Sequence, residues 1–93
     1  MKRMLRWEVP VDLQPHQVDV AGTIRTVEAR ALGDAWRIDM WSEVAGSEYG
    51  PARTFQVYGT GWDIPDGAIW IGTAPRTTNG YVWHLYEHPQ EAP

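Results

Sequence analysis

Apolar and polar side chains alternate along most of this chain with a period of two, the spacing of a strand with one buried face. Leu5, Trp7, Val9, Val11 and Leu13 alternate with Arg6, Glu8, Pro10 and Asp12, so a strand is expected over 5–13. Pro10 has no N–H for a ladder, which places that strand at a sheet edge or ends it there. His16, Val18 and Val20 continue the rhythm in a second strand closed by Ala21-Gly22. Over 23–31 the phase slips: Ile24 falls on one face, Val27 and Ala29 on the other. One extra residue near Arg25-Thr26 swaps faces in this way; a short helix is the competing reading. Gly33-Asp34 marks a turn, and Ala35 to Val44 reads as a strand with Trp36, Ile38 and Met40 inward and Arg37, Asp39, Trp41 and Glu43 outward.

The second half is organised around RTFQVYGTGWDIPDGAIWIGT, residues 53–73. Thr54 to Tyr58 is a strand with Phe55 and Val57 inward, after a loop over 45–52. In Ile64-Pro65-Asp66-Gly67, proline pre-sets φ at the first corner and glycine accepts a positive φ, predicting a tight turn. Ala68 to Thr73 is apolar on both faces, the mark of a central strand. Asn79-Gly80 signals a hairpin between that run and Tyr81 to Glu87, the last strand. A polar tail, HPQEAP, follows over 88–93. The fold class expected is all-β: one domain over 1–93, a compact antiparallel β-sandwich or barrel of about six to seven strands.

Composition narrows the function classes. The 93 residues include no cysteine, which removes disulfides, thiolate metal sites and cysteine nucleophiles together. No run approaches the roughly 18–20 apolar residues of a membrane span, and Arg6 and Glu8 interrupt the start where a secretion signal would be apolar. A soluble, cytosolic protein with no membrane partner is expected. The net charge of −4 and scattered acids leave no basic footprint for phosphates, so no nucleic-acid partner is expected. Six tryptophans are too many to hide completely in so small a domain, and tryptophan is enriched at binding hot spots.

The chemistry-bearing residues resolve mostly into structural roles. Gly59-Thr60-Gly61 lacks the third glycine and the helix of a dinucleotide fingerprint. Asp63 and Asp66 lack the alternating ligands and closing glutamate of a calcium loop; Asp66 reads as a turn residue and Asp63 as a hydrogen-bond partner of nearby backbone. His84 and His88 have the i, i+4 spacing of a helical zinc pair, but on a strand that step spans about 13 Å, too far for one ion. His84, beside Val82 and Tyr86, reads as a partly buried, hydrogen-bonded histidine. Ser42 and Ser47 lie in no nucleophile-elbow context, and the carboxylates show no motif pairing. No catalytic residue, metal or cofactor is assigned. The candidate interaction surface is Trp41, Trp62 and Trp83 with Arg37 and Arg53. Trp41 and Trp83 fall opposite the main apolar register of their neighbours, and Trp62 lies in a loop; a two-sided core covering Trp41 and Trp83 is the alternative.

An opening with Trp7, Val9 and Pro10, then Phe55, Val57, Tyr58, Gly59, Thr60, Gly61, Ile64 to Gly67 and Ile71 to Thr73, then Val82, Trp83, His84, Tyr86 and Glu87, carries a resemblance over almost the whole chain. The pattern resembles a family of small proteins encoded by bacteriophages of actinobacteria and described only as a domain of unknown function. Trp62 departs from it, since members often carry histidine after G-T-G. The resemblance implies a phage protein acting in the cytoplasm of the infected bacterial host, and it carries over no activity. The function expected is a non-enzymatic interaction protein whose partner is a host bacterial protein or a second copy, as a homo-oligomer. The alternative is a carbohydrate- or small-ligand-binding module using exposed tryptophans. A small enzyme, or an inhibitor mimicking nucleic-acid charge, is the third reading.

Overall fold

The computed structural model describes residues 1–89, which form seven strands. They are β1 (Arg3–Pro10), β2 (His16–Val18), β3 (Thr23–Leu32), β4 (Ala35–Val44), β5 (Arg53–Gly59), β6 (Ile69–Thr73) and β7 (Trp83–His88). Sheet A has the order β1-β4-β3 and sheet B the order β2-β5-β7-β6, every pair antiparallel. The two sheets face each other as a sandwich, closed over Val9, Val27, Ile38 and Met40 from sheet A and Phe55, Val57 and Leu85 from sheet B. Burying each of the large side chains among these contributes roughly 1.5–3 kcal/mol.

The phase slip in β3 is a bulge. Ile24 pairs with Ser42 and Thr26 with Trp41, leaving Arg25 as the extra residue. Ile24, Val27 and Ala29 thereby all pack on the core, and the helical reading of 23–31 falls away. Between β2 and β3 the chain crosses from one sheet to the other. Gly22 there adopts φ 79° and lies so close to β4 that a Cβ would fall 2.1 Å from the Glu43 carbonyl oxygen; only glycine fits.

β1 is an edge strand and stops at Pro10. Leu13, in phase with the core positions, is exposed at φ 66° in the turn that follows, because the strand ends before the alternation does. β2 is shorter than its rhythm, ending at Val18. The tight turn expected at 64–67 moves one residue on, with the Ala68 N–H donating to the Pro65 carbonyl at 3.0 Å, and the left-handed glycine of that loop is Gly61, φ 87°. The Asn79-Gly80 hairpin joins β6 to β7, the turn closing with the Gly80 N–H on the Thr77 carbonyl at 3.0 Å. His88 belongs to β7 rather than to a tail, and residues 90–93 lie outside the described residues.

One placement is reversed. β6, apolar on both faces, is an edge of sheet B, and β7 is central. Two-sided apolarity marks a central strand only where both faces of the sheet are covered, and the outer face of sheet B is open.

Candidate functional site

The sandwich has two unlike outer faces. That of sheet A is a lattice of ion pairs. Cross-strand neighbours place Arg6, Trp41 and Thr26 in one row, Glu8, Asp39 and Glu28 in the next, and Pro10, Arg37 and Arg30 in a third. Arg30 donates to Asp39 at 3.0 Å and also reaches Glu8, while Arg6 lies 4.0 Å from Asp39. These arginines seal the outward-pointing Asp39 to 5% exposure. Arg37 is 3.9 Å from Glu8. Opposite charges fill the face and pair among themselves.

The outer face of sheet B carries no carboxylate or guanidinium in its cross-strand rows. Gln56, Tyr86 and Trp70 form one row and Tyr58, His84 and Thr73 the next, with Thr54 beside His88. Tyr58 packs edge-on to Tyr86 at 5.6 Å, and its hydroxyl lies 2.9 Å from His88 Nε2. Burial pushes the Tyr58 phenol above its ordinary value. A second chain of bonds fixes His84. Trp70 Nε1 donates to Thr73 Oγ1 at 3.0 Å, Thr73 Oγ1 is 2.9 Å from His84 Nδ1, and His84 Nε2 is 2.9 Å from Thr60 Oγ1. Indole nitrogen only donates. The arrangement that satisfies every member therefore has the Thr73 hydroxyl donating to Nδ1 and the Nε2–H donating to Thr60, a tautomer assigned from this pattern. No carboxylate hydrogen-bonds His84 among the described residues, so a hydroxyl–imidazole pair exists without the acidic member that holds an imidazolium in a catalytic triad.

Beyond Thr60 opens an aromatic cleft of about 290 Å³, walled by Trp62, Tyr81 and Trp83 with Arg76 at its rim. The loop after β5 brings in Trp62, whose indole packs against Gly59; a Cβ there would meet ring carbon Cε2 at 2.7 Å. The β6–β7 loop brings in Arg76 and Tyr81, and the Arg76 Nη1 donates to the Gly80 carbonyl at 3.1 Å. Tyr81 stacks on Trp83 with centroids 5.4 Å apart, and Trp62 meets Trp83 edge-on at 6.0 Å. Trp62 is 42% exposed and Tyr81 59%. The Trp83 Nε1 is buried without a hydrogen-bond partner among the described residues, a departure from full polar satisfaction of the kind that concentrates at functional sites. Arg76 also borders a cleft of about 320 Å³ shared with Glu28, Trp36 and Pro75.

Of the five residues singled out from sequence, Trp62 and Trp83 meet in the cleft, while Trp41 and Arg37 lie on the outer face of sheet A. Trp83 shares the core-facing register of Leu85 rather than opposing it, because His84 and Tyr86 are the outward residues of β7. Arg53 is held in a bidentate pair with Glu87 at 2.8 and 2.6 Å, its Cζ 5.3 Å from the Phe55 ring centre. That pairing raises the guanidinium pKa and makes Arg53 a clasp between β5 and β7. In the sequence Thr60 and Tyr81 read only as part of a glycine loop and as the start of the last strand, and Arg76 has no role. Their only signal is closeness to the G-T-G loop and the Asn-Gly turn. No group of three or more His, Cys, Asp or Glu residues is placed to hold a metal ion among the described residues. Nor is there among them a helix long and apolar enough to cross a membrane.

The family model for a domain of unknown function, DUF7352, matches residues 1–93. No curated protein and no solved structure matches the chain.

Proposed function

This chain belongs to the DUF7352 family, a domain of unknown function matched along its whole length, and from that premise we propose that it is a non-enzymatic interaction module whose aromatic cleft grips a protein partner. The observation that carries this reading is the meeting of Trp62, Tyr81 and Trp83 at one cleft, two of the rings exposed and one backing them. Clustered aromatics in a pocket are the usual anchors of a protein interface. The sequence resemblance to proteins of actinobacteriophages supports a setting in the cytoplasm of an infected bacterium, with a host protein as partner. His84, hydrogen-bonded to two hydroxyls and, among the described residues, to no carboxylate, favours binding over acid–base chemistry.

The test is affinity capture from an actinobacterial lysate with three baits: wild type, Trp62→Ala and Trp41→Ala. A protein held by wild type and Trp41→Ala and lost by Trp62→Ala, then rebound in purified form by calorimetry, supports the reading. Undiminished capture by Trp62→Ala sinks it.

A second reading has its own observation. Trp70 is 58% exposed, pinned by Thr73 on a face lined by Gln, Thr, Tyr and His. A fixed exposed ring among neutral hydrogen-bonding groups suits the apolar face and hydroxyls of a sugar. Retardation of wild type but not Trp70→Ala in gels containing soluble polysaccharide would favour it.

A further inference from the structure

The cleft presents hydrogen-bond donors without acceptors to match. Its walls, Gly59, Thr60, Trp62, Arg76, Tyr81 and Trp83 among them, include no carboxylate. Backbone carbonyls there are engaged: the Gly59 oxygen accepts from the Trp62 N–H at 3.2 Å, the Gly80 oxygen from Arg76, the Tyr81 oxygen from the Thr77 N–H and the Trp83 oxygen from the Ala74 N–H. Thr60 Oγ1 lies 2.9 Å from His84 Nε2 and, in the assigned tautomer, accepts from it. With the hydrogen on that nitrogen, the Thr60 hydroxyl proton remains available to another acceptor. Arg76 is tethered through Nη1 and forms no ion pair among the described residues. Its other donors pair with no carboxylate among the described residues, Glu28 lining only the neighbouring cleft. The remaining wall is aromatic, with Trp62 and Tyr81 exposed beside it.

Resting on the reading of this cleft as the binding site, we propose that its occupant is an oxyanion, carboxylate or phosphate, borne on a planar ring: the ring packs against Trp62 and Tyr81 while Arg76 and the Thr60 hydroxyl hold the anion. Charge complementarity selects this chemistry. A guanidinium offers a fork matched to two oxygens of a carboxylate or phosphate, and a cationic ligand, although the rings attract it, would meet the Arg76 charge with no carboxylate in the walls to neutralise it. On a partner protein this corresponds to an aromatic side chain next to an acidic or phosphorylated residue.

The experiment is a ¹H–¹⁵N titration of the full chain with four probes: indole-3-acetate, phenyl phosphate, tryptamine and acetate. Indole-3-acetate or phenyl phosphate is expected to shift the Trp62 and Trp83 indole signals saturably. Either should bind about tenfold or more tighter than tryptamine, and acetate alone should bind more weakly than both. Which of the two anions binds tighter identifies the carboxylate or the phosphate source. Arg76→Gln should remove the preference for anionic rings, Arg76→Lys should keep part of it, and Trp62→Ala should weaken every ring probe. Equal binding of tryptamine and indole-3-acetate overturns the anion while leaving the cleft as a ring site. Failure of every ring probe, with host-protein capture still dependent on Trp62, overturns the ligand chemistry alone.

Discussion

The indole Nε1–H of Trp7 donates to the hydroxyl of Ser42 at 2.8 Å, joining β1 to β4 on the core side of sheet A. Ser42 has no exposed surface, so this bond is what makes a hydroxyl tolerable there. The same group on Trp83 is buried with no partner among the described residues. One indole is satisfied where the protein is built for stability. The other is left unsatisfied where the aromatic cleft is assembled.

Trp7→Phe strands the Ser42 hydroxyl in the core. An unmet buried polar group costs about 1–3 kcal/mol, and the smaller ring adds a packing loss. Urea unfolding at constant slope should show a destabilisation of roughly 2–3 kcal/mol. Trp7→Phe combined with Ser42→Ala should recover part of it, because removing both partners leaves no orphan. A double variant as unstable as the summed singles would contradict this account.

Trp83→Phe removes an unpaired donor and should behave differently. The packing loss is opposed by relief of the buried N–H, so stability should stay within about 1 kcal/mol of wild type. A loss equal to that of Trp7→Phe would mean that the Trp83 N–H finds a partner in solution.

Tyr58 predicts an alkaline limit. Burial disfavours its phenolate, so the folded-state pKa stands above the ordinary value of 10.0. A raised folded pKa gives stability that is fully present below the unfolded value and lost as pH rises through the folded one. Below pH 9, Tyr58→Phe should be less stable than wild type by about 1 kcal/mol, the worth of the hydroxyl bond to His88. Above pH 10 the gap should close. Urea midpoints of the two proteins across that range check it, and parallel curves would refute it.

The free edge of β6 predicts weak self-association. Residues 67–75 carry no charge, and Ile69 and Trp70 are exposed, whereas β1 and β3 bear arginine and glutamate along their length and β2 spans three residues. Uncharged edges invite pairing with another strand. The bulge at Ile71 limits the pairing by twisting the edge. Sedimentation velocity at rising concentration should reveal reversible dimers, abolished by Ile69→Lys. A wild type that stays monomeric at the highest concentrations tested would remove the edge from consideration.

The two-residue rhythm carries most of this architecture. It places Trp36, Ile38 and Met40 on the face opposite Arg37, Asp39 and Trp41, and its slip at Ile24 locates a bulge. Parity names the face of a strand and not its neighbours, which is why β6, expected at the centre of a sheet, lies at an edge. It also treats Asp39 as a solvated charge, since burial by Arg6 and Arg30 depends on the non-sequential order β1-β4-β3. The cleft had still less to announce it. Trp62 was already a candidate, but Arg76 and Tyr81 gain meaning only when the loops after β5 and β6 converge at one end of sheet B.

Gly59→Ala tests whether the cleft is the working surface without touching its exposed rings. Gly59 does not adopt a left-handed φ, so alanine costs the backbone little. Its methyl group, however, would fall 2.7 Å from Trp62 Cε2 and 3.0 Å from Trp62 Nε1, separations at which the indole must lift. Trp62 then loses its edge-on contact with Trp83 and the cleft loses its wall. Thermal stability should fall modestly, by about 1 kcal/mol as for other small overpacking changes. Partner capture should fall as far as it does for Trp62→Ala, and the Trp62 indole signal should move in a ¹H–¹⁵N spectrum. A displaced indole with undiminished capture would mean that the partner is held elsewhere.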